Sequence, residues 1–260
     1  MASALAWLRS VIFFLFMTVT VAPWAIVGLV YSIFVRGERL YWYFAGWLGL
    51  SIWGARVICG VRARVHGREN LPDWPVVMLS KHQSAWETFA FPTLMPRPLC
   101  YVFKRELLWI PFFGWAMARM DLIHIDRSKR SEAWSKVAEQ GRRYMAQGNW
   151  VIMFPEGTRT PRGSQGTYKV GGTRLAVETG RPVLPVAVTS ARCWPRKSFV
   201  LRPGVIDISI GKSIDSVGRD AAELMREVET WIEAEMRRLD PDAYALAAAV
   251  TTSAAAGRAS

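Results

Sequence analysis

The chain has 260 residues, a formal net charge of +12 at pH 7 and a hydrophobic content of 51%, with 13 tryptophans. This length suits one sizeable α/β domain with an appendage. The positive charge indicates an anionic partner, and the tryptophan content favours lipid, because the indole ring suits the membrane–water interface. The basic residues are spread along the chain, so we do not expect a nucleic-acid partner.

Two uncharged runs, Ser10–Val35 and Leu40–Ala55, open the chain. At about 1.5 Å per residue, the first run could cross a hydrocarbon core of about 30 Å, whereas the second would reach only about 24 Å. The second run also carries aromatic residues that suit the interface: Tyr41, Trp42, Tyr43, Trp47 and Trp53. We therefore expect membrane-anchoring helices over residues 1–60.

Two membrane arrangements fit these runs. The first helix could span the bilayer, with the arginine-rich end cytoplasmic by the positive-inside rule. Alternatively, both helices could form a hairpin sunk into one leaflet, with a kink at Pro23. The three cysteines show no C-x-x-C pattern, which favours a reducing compartment and hence the cytoplasmic side for the rest of the chain.

The first predicted strand is the apolar run Pro75–Ser80. His82 lies in the loop that leaves it, and a helix that opens at Ser84 is expected to end near Phe91, before a proline. Ser84 and Glu87 have the spacing of a capping box. Glu87 therefore has two interpretations, as a helix cap or as a carboxylate that orients His82.

The rest of the chain alternates strand and helix patterns, which predicts an α/β domain over residues 61–240 and a flexible tail over 241–260. The predicted elements are a helix over Trp134–Met145, a strand over Trp150–Phe154, a helix over Gly171–Thr179 capped by Gly180, a strand over Leu184–Thr189, a hairpin of Phe199–Arg202 with Val205–Ile210, and a helix over Asp220–Leu239.

Two segments carry residues with chemical potential. His82 with Glu87 five residues later has the composition of a general base and its orienting group. The segment Phe154–Arg159 places a glycine turn between a carboxylate and an arginine, which suits a phosphate clamp. The other histidines have structural interpretations, His66 as a solvated turn residue and His124 as a strand residue.

Four motifs occur in a fixed order along the chain: Lys81–Glu87, Lys104–Trp115 leading into Ile125–Arg127, Phe154–Arg159 followed by Lys169, and Arg181–Val186. Together they resemble the motifs of the glycerolipid acyltransferases, above all the bacterial 1-acylglycerol-3-phosphate (lysophosphatidate) acyltransferases. The first motif departs from the family pattern at two places, because Lys81 stands where Asn is usual and Glu87 where Asp is usual.

The resemblance implies a mixed sheet flanked by helices, preceded by a two-helix membrane motif. It also implies transfer of an acyl chain from acyl-CoA or acyl carrier protein to the sn-2 hydroxyl of 1-acylglycerol-3-phosphate, forming phosphatidic acid at the cytoplasmic side of the inner membrane. His82 is then the general base and Glu87 orients it. No metal and no cofactor beyond the acyl donor are expected, and membrane lipids are the other partners.

The resemblance also assigns residues to the substrate phosphate: Lys104, Arg105, Arg127, Glu156, Gly157, Thr158, Arg159 and Lys169. For the oxyanion of the tetrahedral intermediate, the backbone N–H groups that follow His82 are candidate donors.

Two alternatives remain at this point. The acceptor could be another lysophospholipid or a lyso-aminolipid. The chain could also be a non-enzymatic protein that binds membrane surfaces, but this leaves His82, Glu87 and the Phe154–Arg159 loop without a role. Assays with several acceptors discriminate between these possibilities.

Overall fold

The computed structural model describes residues 4–125 and 130–245. Within these ranges the helices are α1 (Ala4–Phe34), α2 (Glu38–Cys59), α3 (Trp86–Leu94), α4 (Phe113–Met117), α5 (Arg130–Ala146), α6 (Gly171–Thr179) and α7 (Ala221–Leu239). The strands there are β1 (Val61–His66), β2 (Val77–Ser80), β3 (Leu99–Lys104), β4 (Ile123–Ile125), β5 (Trp150–Met153), β6 (Val183–Val188) and β7 (Gly204–Ile210).

The described strands form one sheet in the order β1-β7-β6-β2-β5-β3-β4. Neighbours pair in parallel except β6 and β7, which are antiparallel. Strands β2 and β6 are buried along their whole length. Strands covered on both faces need continuous apolar sequence, and this explains why apolar runs predicted them. The predicted mixed sheet flanked by helices is confirmed.

Helices cover both faces of the sheet. Because side chains alternate along a strand, Met78 of β2 packs towards α2 and α3, whereas Val77 and Leu79 pack towards α5, α6 and α7. The core on the first face includes Trp86 and Phe91 of α3. The helix that follows β2 is therefore fixed by packing on the sheet.

Helices α1 and α2 pack against each other. The Trp24 indole N–H donates to the Tyr43 carbonyl at 3.1 Å, and the Tyr43 hydroxyl donates to the Trp24 carbonyl at 3.0 Å. In the part of the chain that the structure describes, α1 is the one helix long and apolar enough to cross a membrane. Its outer face leaves apolar side chains exposed, including Leu15 (61%), Val19 (63%) and Phe34 (80%).

The predicted hairpin of Phe199–Arg202 with Val205–Ile210 is wrong. Strand β7 pairs with β1 and β6 instead, and the segment before it packs against α1. The Phe199 ring stacks on Phe14 with centroids 4.8 Å apart, and the Leu201 N–H donates to Ser10 Oγ at 2.9 Å. Both contacts join distant parts of the chain, so local turn residues did not reveal them.

Two predicted boundaries also move. Helix α3 does not end at Phe91 but continues through Pro92 to Leu94. The proline removes only its own N–H from the helix, and the Met95 N–H still closes the last turn on the Phe91 carbonyl at 3.1 Å. The prediction of a flexible tail is wrong for residues 241–245, because they form a helical turn whose Tyr244 hydroxyl lies 3.5 Å from Glu233 Oε2. Residues 246–260 lie outside the described ranges.

Candidate active site

The candidate site lies at the carboxyl edge of three neighbouring parallel strands. His82 follows β2, Phe154 follows β5 and Ser190 follows β6, and these strands are adjacent in the order β6-β2-β5. Parallel strands bring their carboxyl ends to the same edge, where α/β sheets bind ligands. The order of strands thus brings together residues that are far apart in the sequence.

His82 and Glu87 form a hydrogen-bonded pair at this edge. His82 Nδ1 lies 2.9 Å from Glu87 Oε2, and the Glu87 side chain is fully buried while that of His82 is 13% exposed. The imidazole also stacks on the Phe154 ring, with centroids 3.9 Å apart and planes 18° from parallel. The ring is therefore held on its edge and on one face.

The Glu87 carboxylate accepts further hydrogen bonds that fix its orientation. The backbone N–H groups of Gln83 and Ser84 donate to it at 3.0 and 2.9 Å, and so does the Ser190 hydroxyl. Ser84 Oγ in turn accepts the Trp86 N–H at 3.1 Å. Glu87 thus closes the first turn of α3 and contacts His82 at the same time, so the two interpretations of this residue are compatible.

These contacts assign the histidine tautomer. An ionised carboxylate only accepts hydrogen bonds, so the proton of the neutral imidazole lies on Nδ1. Nε2 then carries the lone pair. Among the described residues, no side chain is hydrogen-bonded to His82 Nε2. The geometry leaves this nitrogen able to accept a proton from a hydroxyl group.

The loop after β5 holds the backbone of His82. The His82 N–H donates to Glu156 Oε2 at 2.9 Å, and the His82 carbonyl accepts the Thr160 N–H at 2.8 Å and the Thr160 hydroxyl at 3.1 Å. Glu156 is buried, and Lys81 Nζ lies 2.7 Å from its Oε1. The expectation that Glu156 binds the substrate phosphate is therefore corrected, because its carboxylate faces the interior behind the His82 turn.

Two of the candidate oxyanion donors that follow His82, the N–H groups of Gln83 and Ser84, already donate to a carboxylate. The N–H groups of His82, Gln83 and Ser84 all point to carboxylates of Glu156 or Glu87. An N–H group that satisfies a buried carboxylate is not free for a developing oxyanion.

The remaining members of the third motif lie in the open part of the loop. Gly157 has φ +67°, and a Cβ there would lie 2.9 Å from Lys169 Nζ, so glycine allows this lysine to lie against the loop. Thr158 and Lys169 are exposed and Arg159 is half-buried. These residues are accessible to a ligand.

The second motif lies apart from this loop in the sequence and contributes less to the described site. Arg105 is exposed at the start of a short 3-10 helix, Arg105–Trp109. The structure describes only the backbone of Lys104, the last residue of β3. The prediction for Arg127 falls outside the described residues.

An apolar cavity of about 340 Å³ lies beside α3, within the usual range of ligand pockets. Helices α1, α2 and α4 and strand β3 complete its walls. Thr88 and Phe89 line it from α3, the helix that carries Glu87, and Ala85 lines it from the position just before that helix. Among the described residues that line it, Arg159 is the charged one. This combination suits a long apolar chain with an anionic end.

The other two histidines have different environments. His66 ends β1 and does not lie in a turn as predicted, and its partly exposed side chain places Nε2 3.0 Å from Asp207 Oδ1. His124 lies in β4 as predicted, 2.7 Å from Lys136 Nζ. Burial and the nearby cations Lys136 and Arg105 lower the pKa of His124.

Sequence reasoning missed three contributors to the site: Ser190, Thr160 and Glu233, whose Oε1 lies 2.6 Å from Lys81 Nζ. Ser190 and Thr160 lie directly after or near predicted strand ends, which is the available sequence signal. Glu233 lies on α7 and gives no signal, because a glutamate in a helix is usually a surface residue.

A histidine–carboxylate pair near an apolar cavity, at the carboxyl edge of a mixed α/β sheet, has the geometry of a general base and the group that orients it. The chain belongs to the acyltransferase family, whose family model matches residues 62–189.

Individual relatives agree with this membership. The chain is 40% identical over 238 residues to the 1-acyl-sn-glycerol-3-phosphate acyltransferase of Pseudomonas aeruginosa, covering 90% of this chain and 92% of that protein. It is 30% identical over 203 residues to the 1-acyl-sn-glycerol-3-phosphate acyltransferase alpha of Mus musculus, covering 70% of each. The crystal structure of the 1-acyl-sn-glycerophosphate (LPA) acyltransferase PlsC from Thermotoga maritima superposes with a TM-score of 0.76 at 25% identity, covering 90% of this chain and 95% of that one.

Proposed function

We propose that this enzyme transfers an acyl chain from a thioester, acyl-CoA or acyl carrier protein, to the sn-2 hydroxyl of 1-acylglycerol-3-phosphate, forming phosphatidic acid. The observation that carries the proposal is the pair of His82 Nδ1 and Glu87 Oε2 at 2.9 Å beside an apolar cavity lined by Arg159. The names of the relatives support the acceptor. Membership of an enzyme family sets aside the non-enzymatic alternative.

In the proposed mechanism, His82 Nε2 takes the proton of the acceptor hydroxyl while the hydroxyl oxygen attacks the thioester carbonyl. The resulting tetrahedral intermediate collapses, the C–S bond breaks, and the imidazolium returns the proton to the departing thiolate. Glu87 stabilises the imidazolium and holds its tautomer. The reaction as written needs no metal and no cofactor beyond the acyl donor.

For the acceptor phosphate we propose Arg159 as the principal ligand, with Gly157, Thr158 and Lys169 from the same loop region. Arg159 also lines the apolar cavity, so it can bind an anionic headgroup next to an acyl chain. A guanidinium can donate two parallel hydrogen bonds to phosphate oxygens. Lys104, Arg105 and Arg127 of the second motif are proposed as further cationic contributors.

We propose that α1 and α2 anchor the enzyme in one leaflet and do not span the bilayer. Ser10 of α1 accepts the Leu201 N–H at 2.9 Å, and the Arg119 Nε donates to Ser32 Oγ at 2.9 Å. These serines are about 33 Å apart along a straight helix. A helix flanked by the catalytic domain over that length does not leave one end free to cross the hydrocarbon core.

The proposed location is the inner membrane, with the residues from 61 onwards on the cytoplasmic side. All three cysteines are free and buried, as expected in a reducing compartment. We retain the division into anchoring helices over 1–60 and a catalytic domain up to residue 240.

The test is a thiol-release assay of the purified protein in detergent or nanodiscs, with acyl-CoA and a panel of lysophosphatidic acid, other lysophospholipids and a lyso-aminolipid. We expect lysophosphatidic acid to give the highest kcat/KM. We also expect His82→Ala to lower kcat by roughly a hundredfold or more, because it removes the general base. The matched control is His124→Gln, outside the site.

If the enzyme prefers another acceptor, the proposed substrate is wrong, but the proposed reaction, acyl transfer to a lysolipid hydroxyl, still holds. Retention of a tenth of the parental rate by a folded His82→Ala protein would contradict the role of His82.

A further inference from the structure

A buried cluster of charged residues lies behind the His82 turn. The Lys81 side chain is fully buried, and its Nζ lies 2.7 Å from Glu156 Oε1, 2.6 Å from Glu233 Oε1 and 3.0 Å from the Ser164 carbonyl oxygen. The ammonium donates hydrogen bonds to Glu233 Oε1 and to the Ser164 carbonyl, and it forms an ion pair with Glu156 Oε1. Lysine is almost never fully buried unless it is paired, and here two buried carboxylates pair with it.

Each carboxylate also has another partner. Glu156 Oε2 accepts the backbone N–H of His82 at 2.9 Å. Glu233 Oε1 accepts the Tyr168 hydroxyl at 2.9 Å. Burial and the nearby carboxylates Glu233 and Glu156 raise the pKa of Tyr168, so this phenol stays a donor. A continuous chain of contacts therefore runs from α7 to the backbone of His82.

Glu233 lies on the buried face of α7, together with Val228, Ile232 and Met236. A carboxylate on an apolar face is unfavourable unless it is paired, and Lys81 provides the pairing. Glu233 also lies beyond residues 62–189, the part that the family model matches. The charge on α7 and the lysine in the first motif thus require each other.

We propose that Lys81, Glu156 and Glu233 form a positioning unit for His82. Glu233 fixes the Lys81 ammonium, Lys81 orients the Glu156 carboxylate, and Glu156 holds the His82 N–H. All three act through the backbone of the His82 turn. This proposal rests on the proposed role of His82 in acyl transfer.

The principal variant is Glu233→Gln, which keeps the side-chain shape and leaves the Lys81–Glu156 pair intact. We expect kcat to fall about tenfold with unchanged KM for both substrates. A displacement of about 1 Å can lower a rate about a hundredfold, and the remaining Lys81–Glu156 pair should keep the displacement of His82 smaller than that. Hydrogen–deuterium exchange of the peptide over residues 81–85 should speed up, while β5 and β6 remain protected. The matched control is Glu227→Gln, an exposed glutamate of the same helix that pairs with Arg219, a residue just before the helix.

A second variant tests the order of contacts. Lys81→Met should lower kcat more strongly than Glu233→Gln, because it leaves two buried carboxylates without their cation. In the Lys81→Met background, Glu233→Gln should lower kcat no further, since Glu233 acts through Lys81. If Lys81→Met does not fold, the exchange and kinetics of Glu233→Gln decide.

Parental kcat and parental exchange in Glu233→Gln would overturn the proposal. Faster exchange throughout the sheet would also overturn it, because that pattern indicates a general loss of stability. A kcat of the double variant that falls by the product of the two single losses would overturn it as well, because the two residues would then act independently. If the parental protein acylated no lysolipid, the proposed function would fail, whereas exchange of the His82 turn would still decide whether the cluster positions it.

Discussion

At the scale of single residues, the Glu87 carboxylate has several donors to satisfy at once. We predict that Glu87→Gln lowers kcat by roughly a hundredfold or more, because in either orientation the amide N–H₂ group would face N–H donors, those of Gln83 and Ser84 or those of His82 and Ser84, and the negative charge is lost. Glu87→Asp keeps the charge and should retain measurable activity. Steady-state kinetics of both variants test this.

A Gln variant that works at the parental rate would reduce Glu87 to a helix cap. Equal losses in the Gln and Asp variants would show that side-chain length, and not charge, decides.

Arg159 has a separable role at the same scale. We predict that Arg159→Ala raises the KM for lysophosphatidic acid by roughly ten- to a hundredfold, since a charge-assisted contact contributes about 1.5–3 kcal/mol. Arg159→Lys should recover only part of this loss, because a point charge does not reproduce the planar fork. The measurement is kinetics with each substrate varied in turn, and the control is Arg226→Ala, in an exposed pair on α7.

An equal rise of KM for both substrates would show that Arg159 has a structural role. An effect on the donor alone would move this residue to the acyl-donor site.

The residue pair at the centre of the site was accessible from sequence because it is local. Glu87 lies five residues after His82, so one turn and the start of one helix bring them together. Lys81 and Glu233 are 152 residues apart, and their contact depends on where α7 packs. No pattern in a single sequence reveals a contact between residues so far apart. Without that contact, the buried position of Glu156 beside Lys81 could not be foreseen, and Glu156 was assigned to the substrate phosphate.

At the scale of elements, burial explains which strands were predicted. Strands β2, β5 and β6 are apolar runs because both of their faces are covered. Strand β1 was missed although Val61, Ala63 and Val65 alternate with arginines, the pattern of an edge strand with one solvated face. The pairing of β7 with β1 joins residues about 140 positions apart, so turn signals near Pro203 indicated the wrong partner.

Helix α1 carries a prediction at this scale. We predict that Leu15→Asp combined with Val19→Asp lowers co-flotation with lipid vesicles at least tenfold, because each apolar side chain contributes about 1.5–3 kcal/mol when it leaves water. Both side chains are more than half exposed, so the fold should be retained. The matched control is Val217→Asp, a substitution of a 65% exposed valine before α7.

Undiminished flotation of the double variant would contradict the assignment of this face to lipid. Circular dichroism and thermal unfolding verify that both proteins are folded.

For the whole molecule, the apolar cavity joins the anchoring helices to the catalytic edge of the sheet. Its walls come from α1 and α2 on one side and from α3 and β3 on the other, so neither part of the chain forms it alone. Helix α2 also contributes Tyr41, Ala45 and Cys59 to the hydrophobic core. The same two helices that we propose as the membrane anchor therefore also form the cavity and part of the core, so removing them would damage the rest of the domain.

If the cavity receives the acyl chain of the donor, its size limits the length of that chain, and substitution of Ala45 tests this prediction. Ala45→Phe places a ring in the cavity wall, and we predict that kcat/KM falls for palmitoyl-CoA much more than for lauroyl-CoA. Each methylene kept out of apolar contact is worth about 0.8 kcal/mol, or roughly fourfold in kcat/KM. The control is Ala222→Phe on the exposed first turn of α7. Equal losses for all donors would contradict the assignment, and a dependence on the lysolipid chain alone would assign the cavity to the acceptor.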